Sequence, residues 1–195
     1  HPSNTLTITD FVEVRGATSI FNIENTGSLI QVNNVANSGI ISMKRNALIK
    51  ALDYVYWSSP VASFASNAIS PATPTSVIWK WEPTTATAYA SQFGNWLNGV
   101  ETMSLGRGYI VRSPNGWSST PSVFTANFVG VPNNGNITRP ITRSTYTGPN
   151  YTGPTSTDVT ANDDNWNLLG NPYPSAISAD AFLTANLTHI NPFVD

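Results

Sequence analysis

The chain has no cysteine. That removes disulfides, thiolate metal sites and a cysteine nucleophile together. It does not assign a reducing compartment, because many extracellular bacterial proteins also do without cysteine. Charge is scarce too. Asp, Glu, Lys and Arg make up 10% of the 195 residues, against roughly 25% in an average soluble domain. Asn, Thr and Ser take their place, so polarity rests on amides and hydroxyls. The net charge is −2 and no basic run occurs. Nucleic acid is bound through clustered Lys and Arg, so it is not an expected partner. No apolar run approaches the ~18 residues that a membrane span needs, and no signal peptide or sorting tail is recognisable. The sequence starts at His1 without Met and stops at Asp195. It is expected to be a processed piece of a longer protein.

What is present is β-like. Aromatic residues reach 11%, and with low charge and abundant Asn, Thr and Ser they suit a secreted or surface β protein. "LTITDFVEV", "SIFNIENTGSLIQVNN" and "NSGIISMKR" are short apolar runs punctuated by Asn, a small residue and Gly. Such runs fit successive rungs of a β-solenoid, each burying its apolar side on the next. They fit an antiparallel meander equally well. "DYVYWSSPVASF" is an aromatic strand stopped by Pro60. In "SVIWKWEP" Val77, Trp79 and Trp81 share one face, and Ile78 and Lys80 share the other. Residues 86–107 read as a loop-rich passage before a strand at 108–113, and Pro114-Asn115-Gly116 marks a turn. "SVFTANFVGVPNNGNITRPITR" reads as a strand pair around "PNNG". Residues 144–164 form a Thr/Gly/Pro/Asn loop.

"NWNLLGNPYPSAISADAFL" (165–183) contains a strand, a corner and a helix start. "WNLLG" is apolar, and two prolines keep "NPYP" out of any central strand. Ser178 suits a helix N-cap, with Asp180 in the first turn and Asn186 at the end. Ile177 and Phe182 take the two positions of a hydrophobic staple.

Five motifs taken together carry a family resemblance. They are "IENTGSLIQVNN" (23–34), "DYVYWSSPV" (53–61), "GRGYIVRSP" (106–114), "FVGVPNNGNI" (128–137) and "NLLGNPYPSAISADAFL" (167–183). In this order the chain resembles a segment of large secreted and cell-surface proteins of Bacteroidota, adhesin-like exoproteins exported by the type IX secretion system. The resemblance implies an extracellular or surface location, contact with the secretion machinery through flanking segments, and repetitive β material upstream. In that family the segment continues past the helix into another aromatic strand, so the chain is expected to be truncated at its C-terminal end. No catalytic residue is implied.

The expected fold is all-β. Solenoid-like or meander strands over 1–48 precede a β-sandwich-like domain over 49–195, with long loops and one short late helix. The expected function is a non-catalytic module for adhesion or structure. The alternative is a carbohydrate-binding module of a polysaccharide-degrading exoenzyme. Partners are a polysaccharide or a surface protein, and self-association through edge strands.

Catalytic constellations are sparse. His1 and His189 are far apart in sequence, which speaks against a zinc site, and no G-x-S-x-G elbow occurs. A glycosidase needs two facing carboxylates; Asp53 and Glu82 are the best-placed acids, and backbone or Arg107 contacts are their plainer role. Gly106 and Gly108 in "GRGYIVR" suit a tight turn. Asp163 and Asp164 in "ANDDNW" could give part of a structural calcium shell; no other cofactor is expected. The aromatics are the sharpest binding signal. Trp79 and Trp81 lie about 7 Å apart on one strand face, and flat indoles stack on sugar rings at low entropic cost; packing in the core is the favoured role for this pair, because Trp is highly buried on average. Trp96 and Trp117 sit in apparent loops and complete the sugar-stacking candidates. Trp57 and Trp166 are expected in the core.

Overall fold

The computed structural model describes residues 4–16, 18–85, 94–143, 151–152, 158–159 and 166–190. It is an all-β molecule with one short α-helix among those residues.

The N-terminal strands are β1 (Thr5–Ile8), β2 (Phe21–Ile23), β3 (Ser28–Gln31) and β4 (Ile41–Ile49). β1 pairs with β3 in parallel, Thr5 beside Ser28. Glu13 and Ser38 form a parallel bridge. β2 pairs with β4 in parallel, Phe21 beside Ile41. The chain therefore winds round and returns beside itself. Parallel neighbours need long connections, and the Gly/Asn turns provide them. This selects the solenoid-like coil over the antiparallel meander. Ile23, Leu29, Ile41 and Met43 fill its interior.

Amides tie the coil where charges are missing. Asn37 exchanges side-chain bonds of 2.8 Å with Gln31, accepts from Val12 N and donates to Pro132 O. Asn134 Nδ2 donates to Asn33 O and Val35 O. Neutral amides satisfy buried or bent backbone without the desolvation penalty of an ion, which gives the low charge a structural use.

The remaining strands are β5 (Tyr54–Trp57), β6 (Ile78–Glu82), β7 (Asn95–Asn98), β8 (Tyr109–Arg112) and β9 (Ser122–Gly130). β9 runs antiparallel to β4 along all nine residues, from Ile41 opposite Gly130 to Ile49 opposite Ser122. The sheet order is β2-β4-β9, so the boundary expected at 48 falls inside β4. A second sheet, antiparallel throughout, has the order β5-β8-β6-β7. The two sheets face each other. Trp57 on β5 stands 6.2 Å from Phe124 and 6.0 Å from Phe128 on β9, and Phe128 stands 4.9 Å from Phe64. One core runs from Ile23 and Leu29 of the coil to Tyr109, Val111 and Phe128 of the sandwich. β10 (Tyr151–Thr152) and β11 (Asp158–Val159) make a small antiparallel pair.

Two sequence expectations need correction. "SVFTANFVGVPNNGNITRPITR" is not a strand pair: its first half is β9, and 133–143 is irregular apart from the Val61–Pro132 bridge just before it. The alternating Phe124, Ala126 and Phe128 found a nine-residue partner in β4 instead. Residues 95–98, expected as loop, are strand β7. "NWLN" has little strand character of its own and is held by pairing with β6.

Residues 166–183 form a structural corner. Its apolar start pairs with the 106–108 turn: Gly108 N donates to Leu168 O at 3.0 Å, and Gly170 N donates to Gly106 O at 3.1 Å. Gly106 has φ +71°, a left-handed conformation that glycine adopts freely. Pro172 O accepts from Asn133 Nδ2, Pro174 O accepts from Leu29 N, and Tyr173 Oη donates to Gly135 O. The corner thus fastens coil, "PNNG" turn and sandwich together. It then enters α1 (Ala179–Ala185), where Ser178 Oγ accepts from Ala181 N at 3.2 Å and Asp180 lies in the first turn. The staple residues Ile177 and Phe182 are 47% and 39% exposed, so they cover each other at the surface at most.

Candidate functional site

Register decides which side chains share a face, because directly opposed antiparallel residues point the same way. In the four-stranded sheet Tyr56 opposes Ile110, Ile110 opposes Trp79, and Trp79 opposes Asn98. On the same face Tyr54 opposes Arg112, and Trp81 opposes Trp96. This is the face turned away from β9. It carries three indoles and two phenols, and its eight strand positions include no acid. Tyr54 and Tyr56 are 45% and 66% exposed; Trp79, Trp81 and Trp96 are half-buried.

Trp81 and Trp96 stand 5.4 Å apart with their planes at 69°. They make a corner rather than a flat shelf. Trp81 Nε1 donates to Trp166 O at 2.7 Å, which fixes the ring and brings Trp166 beside the face. Trp166, expected in the core, is 57% exposed. Its segment joins the β structure through the single Arg107–Leu169 bridge, too short a pairing to bury residue 166. Trp57 packs against the core as expected.

Trp117 does not join this face. Its Nε1 donates to Ile49 O at 3.2 Å, and its ring stands edge-on to Phe124 at 5.7 Å. It closes one end of the sandwich. The four sugar-stacking candidates therefore divide: Trp79, Trp81 and Trp96 come together, and Trp117 has a packing role. Tyr54 and Tyr56 belong to the face and were not among the candidates. Their alternation in "DYVYW", with Val55 and Trp57 inward, was the available signal.

Apart from Arg112 beside Tyr54, the charges of this sheet lie on the opposite face. Lys80 and Glu82 share it with Ile78, and Leu97 lies beside Lys80. Arg107 Nη2 donates to Trp81 O at 2.6 Å and to Glu82 at 2.5 Å. Lys80 stands 3.9 Å from Glu82 and also pairs with Glu101. Glu101 accepts from Tyr109 Oη at 2.7 Å, and that oxygen accepts from Ser104 N. Burial pushes the Glu101 carboxyl up, but hydrogen bonds from Lys80 and Tyr109 and the charges of Lys80 and Arg107 more than reverse this, so it lies below its ordinary value. Burial, then the Glu101 carboxylate, holds the Tyr109 phenol above its ordinary value. Each acid has a cation partner. That is a structural lock, and it gives Glu82 the Arg107 contact anticipated from sequence. Asp53 caps its own turn, its Oδ2 accepting from Lys50 N at 3.0 Å.

Asp163 and Asp164 lie outside the described residues. Among the described residues no group of three metal-ligating side chains assembles, and no helix is long and apolar enough to cross a membrane. His189 is exposed beyond α1.

The chain belongs to the family described as Domain of unknown function (DUF8693), whose model matches residues 1–195. No curated protein and no solved structure matches it.

Proposed function

We propose that this domain is a non-catalytic binding module of an exported or cell-surface protein, and that its outer sheet face holds a polysaccharide by ring stacking. The observation that carries it is the placement of Trp79, Trp81, Trp96, Tyr54 and Tyr56 together on the face of the β5-β8-β6-β7 sheet turned away from β9. Aromatic side chains normally fill the core, because each buries a large apolar area. Here the same strands send Lys80 and Glu82 the other way. Rings outside and an ion network beneath serve binding better than packing. Sugars suit the face: their apolar ring faces stack on aromatics, no acid stands at its strand positions, and Arg112 at its edge can donate to hydroxyls.

The adhesion role follows from the same site, since a module that grips surface or matrix glycans tethers the protein that carries it. The resemblance to Bacteroidota exoproteins supports an extracellular setting. A purely structural role is the second reading, favoured by the parallel coil, which is built to stack on further repeats.

Affinity electrophoresis through gels carrying plant, algal and microbial polysaccharides tests the proposal. Retardation is expected in at least one gel, lost in Trp79→Ala and kept in Trp117→Ala. A folded chain that no gel retards would overturn the glycan reading and leave the structural one.

A further inference from the structure

A cavity of about 490 Å³ lies where the coil and β4 meet the end of β5 and the 168–176 corner. Small-molecule sites run from roughly 300 to 1,000 Å³, so it has room for a sugar residue. Met43, Phe128 and Leu168 line its apolar part, and Tyr56 and Trp57 add aromatic wall. Among its lining residues there is no Asp, Glu, Lys or His, and Arg45 is the one that carries a charge.

Arg45 stands on the inner face of β4. It directly opposes Ala126, which is fully buried, and it shares its face with Ile41, Met43, Ala47 and Ile49. Its Nη1 donates to the carbonyls of Glu24 (3.3 Å), Asn25 (3.0 Å) and Lys44 (2.8 Å), and its Nη2 donates to Gly27 O (2.9 Å). All four are neutral oxygens. Burial pulls the guanidinium below its ordinary pKa, as happens when no counter-charge compensates lost hydration. Nε and the second Nη2 hydrogen remain. They form the side-on edge that pairs with a carboxylate through two parallel bonds.

We propose that this cavity binds an acidic sugar residue. Arg45 pairs with its carboxylate, and Trp57 meets its apolar face. Tyr56 borders both this cavity and the Trp79 face, but Arg45 and Trp57 lie on the inner side, so the proposal does not depend on the outer face binding glycan.

Saturation-transfer NMR and calorimetry on the whole chain test it, with D-glucuronate, D-galacturonate and D-mannuronate as probes and D-glucose and inorganic sulfate as controls. At least one uronate is expected to bind saturably, about tenfold or more tighter than glucose and sulfate, since glucose lacks the charge that pairs with Arg45 and sulfate lacks the apolar ring face. Arg45→Gln should weaken it at least about tenfold, while Trp79→Ala should leave it unchanged. Arg45 also braces the 24–27 turn, so Ala176→Trp is the second variant: position 176 is an exposed lining position, and an indole there narrows the cavity without touching that turn and should also weaken binding. Circular dichroism confirms that each variant is folded. Failure of all three uronates to bind, equal binding of glucose or sulfate, or full affinity in folded Ala176→Trp would each overturn the proposal. Loss of polysaccharide retardation with uronate binding intact would instead fault the outer-face reading alone.

Discussion

The two faces of the β5-β8-β6-β7 sheet are made from alternate residues of the same strands, yet they carry opposite chemistry. Inward lie Ile78, Val111 and Tyr109, with the Lys80–Glu82–Arg107–Glu101 network at one end. Outward lie three indoles and two phenols. A sheet optimised for stability alone would reverse Trp81 and Lys80, because an indole removes far more apolar area from water. The difference teaches that the inner face specifies the fold and that the outer face is free to serve a ligand. The ions are tolerated inside because each meets an opposite charge and further hydrogen bonds.

That comparison can be broken or sharpened. Ile78→Ala, at a fully buried inner position, should cost about 2–5 kcal/mol in urea unfolding, the range for truncating a buried aliphatic side chain. Arg107→Leu should cost about 3 kcal/mol, near the lower end for breaking a buried pair because Glu82 keeps some exposure; a neutral result would mean that the network is decorative. Tyr109→Phe should cost about 1–2 kcal/mol by leaving Ser104 N and Glu101 short of a partner. The network also sets a pH dependence. Glu101 is held below its ordinary 4.5, so its contribution is complete above that value and is lost as pH falls through the depressed one. Tyr109 is held above its ordinary 10.0, so its contribution is complete below that value and is lost as pH rises through the raised one. Midpoints measured from pH 3 to 6 should fall on the acid side in the parent and fall less in Lys80→Met. The smallest stability change belongs to the outer face: Tyr56→Ala should shift the midpoint by less than about 1 kcal/mol while reducing polysaccharide retardation. A large loss of stability there would erase the contrast between the faces.

Much of this was legible in the residues, element by element. The strand alternation at 78–82 and 109–112 placed Trp79 with Trp81, and Tyr109 with Val111, on the faces they occupy. Ser178, Asp180 and Asn186 gave the helix and both its ends, because capping is a local interaction between neighbours in sequence. Gly106 gave the turn. What escaped was set by distant partners. β7 exists because β6 pairs with it, so Trp96 looked like a loop residue. Trp117 looked equivalent to Trp96 until Ile49 O and Phe124 claimed it. Arg45 carried a signal that passed unread: the alternation Ile41, Met43, Arg45, Ala47, Ile49 set one lone cation on an apolar face.

Sequence by itself determined the strand-rich class, the alternation within each strand, the capped helix and the rigid "NPYP" corner. Each depends on dihedral preference, side-chain period or bonds between near neighbours. Only the tertiary structure decided that β1 and β3 run parallel, that β4 and β9 join the coil to the sandwich, and that five aromatic side chains share the sheet face turned away from β9 while Arg45 lines a cavity. Those facts depend on which strands meet and in what register. Pairing joins residues as far apart as Met43 and Phe128, and no local pattern encodes a partner at that distance.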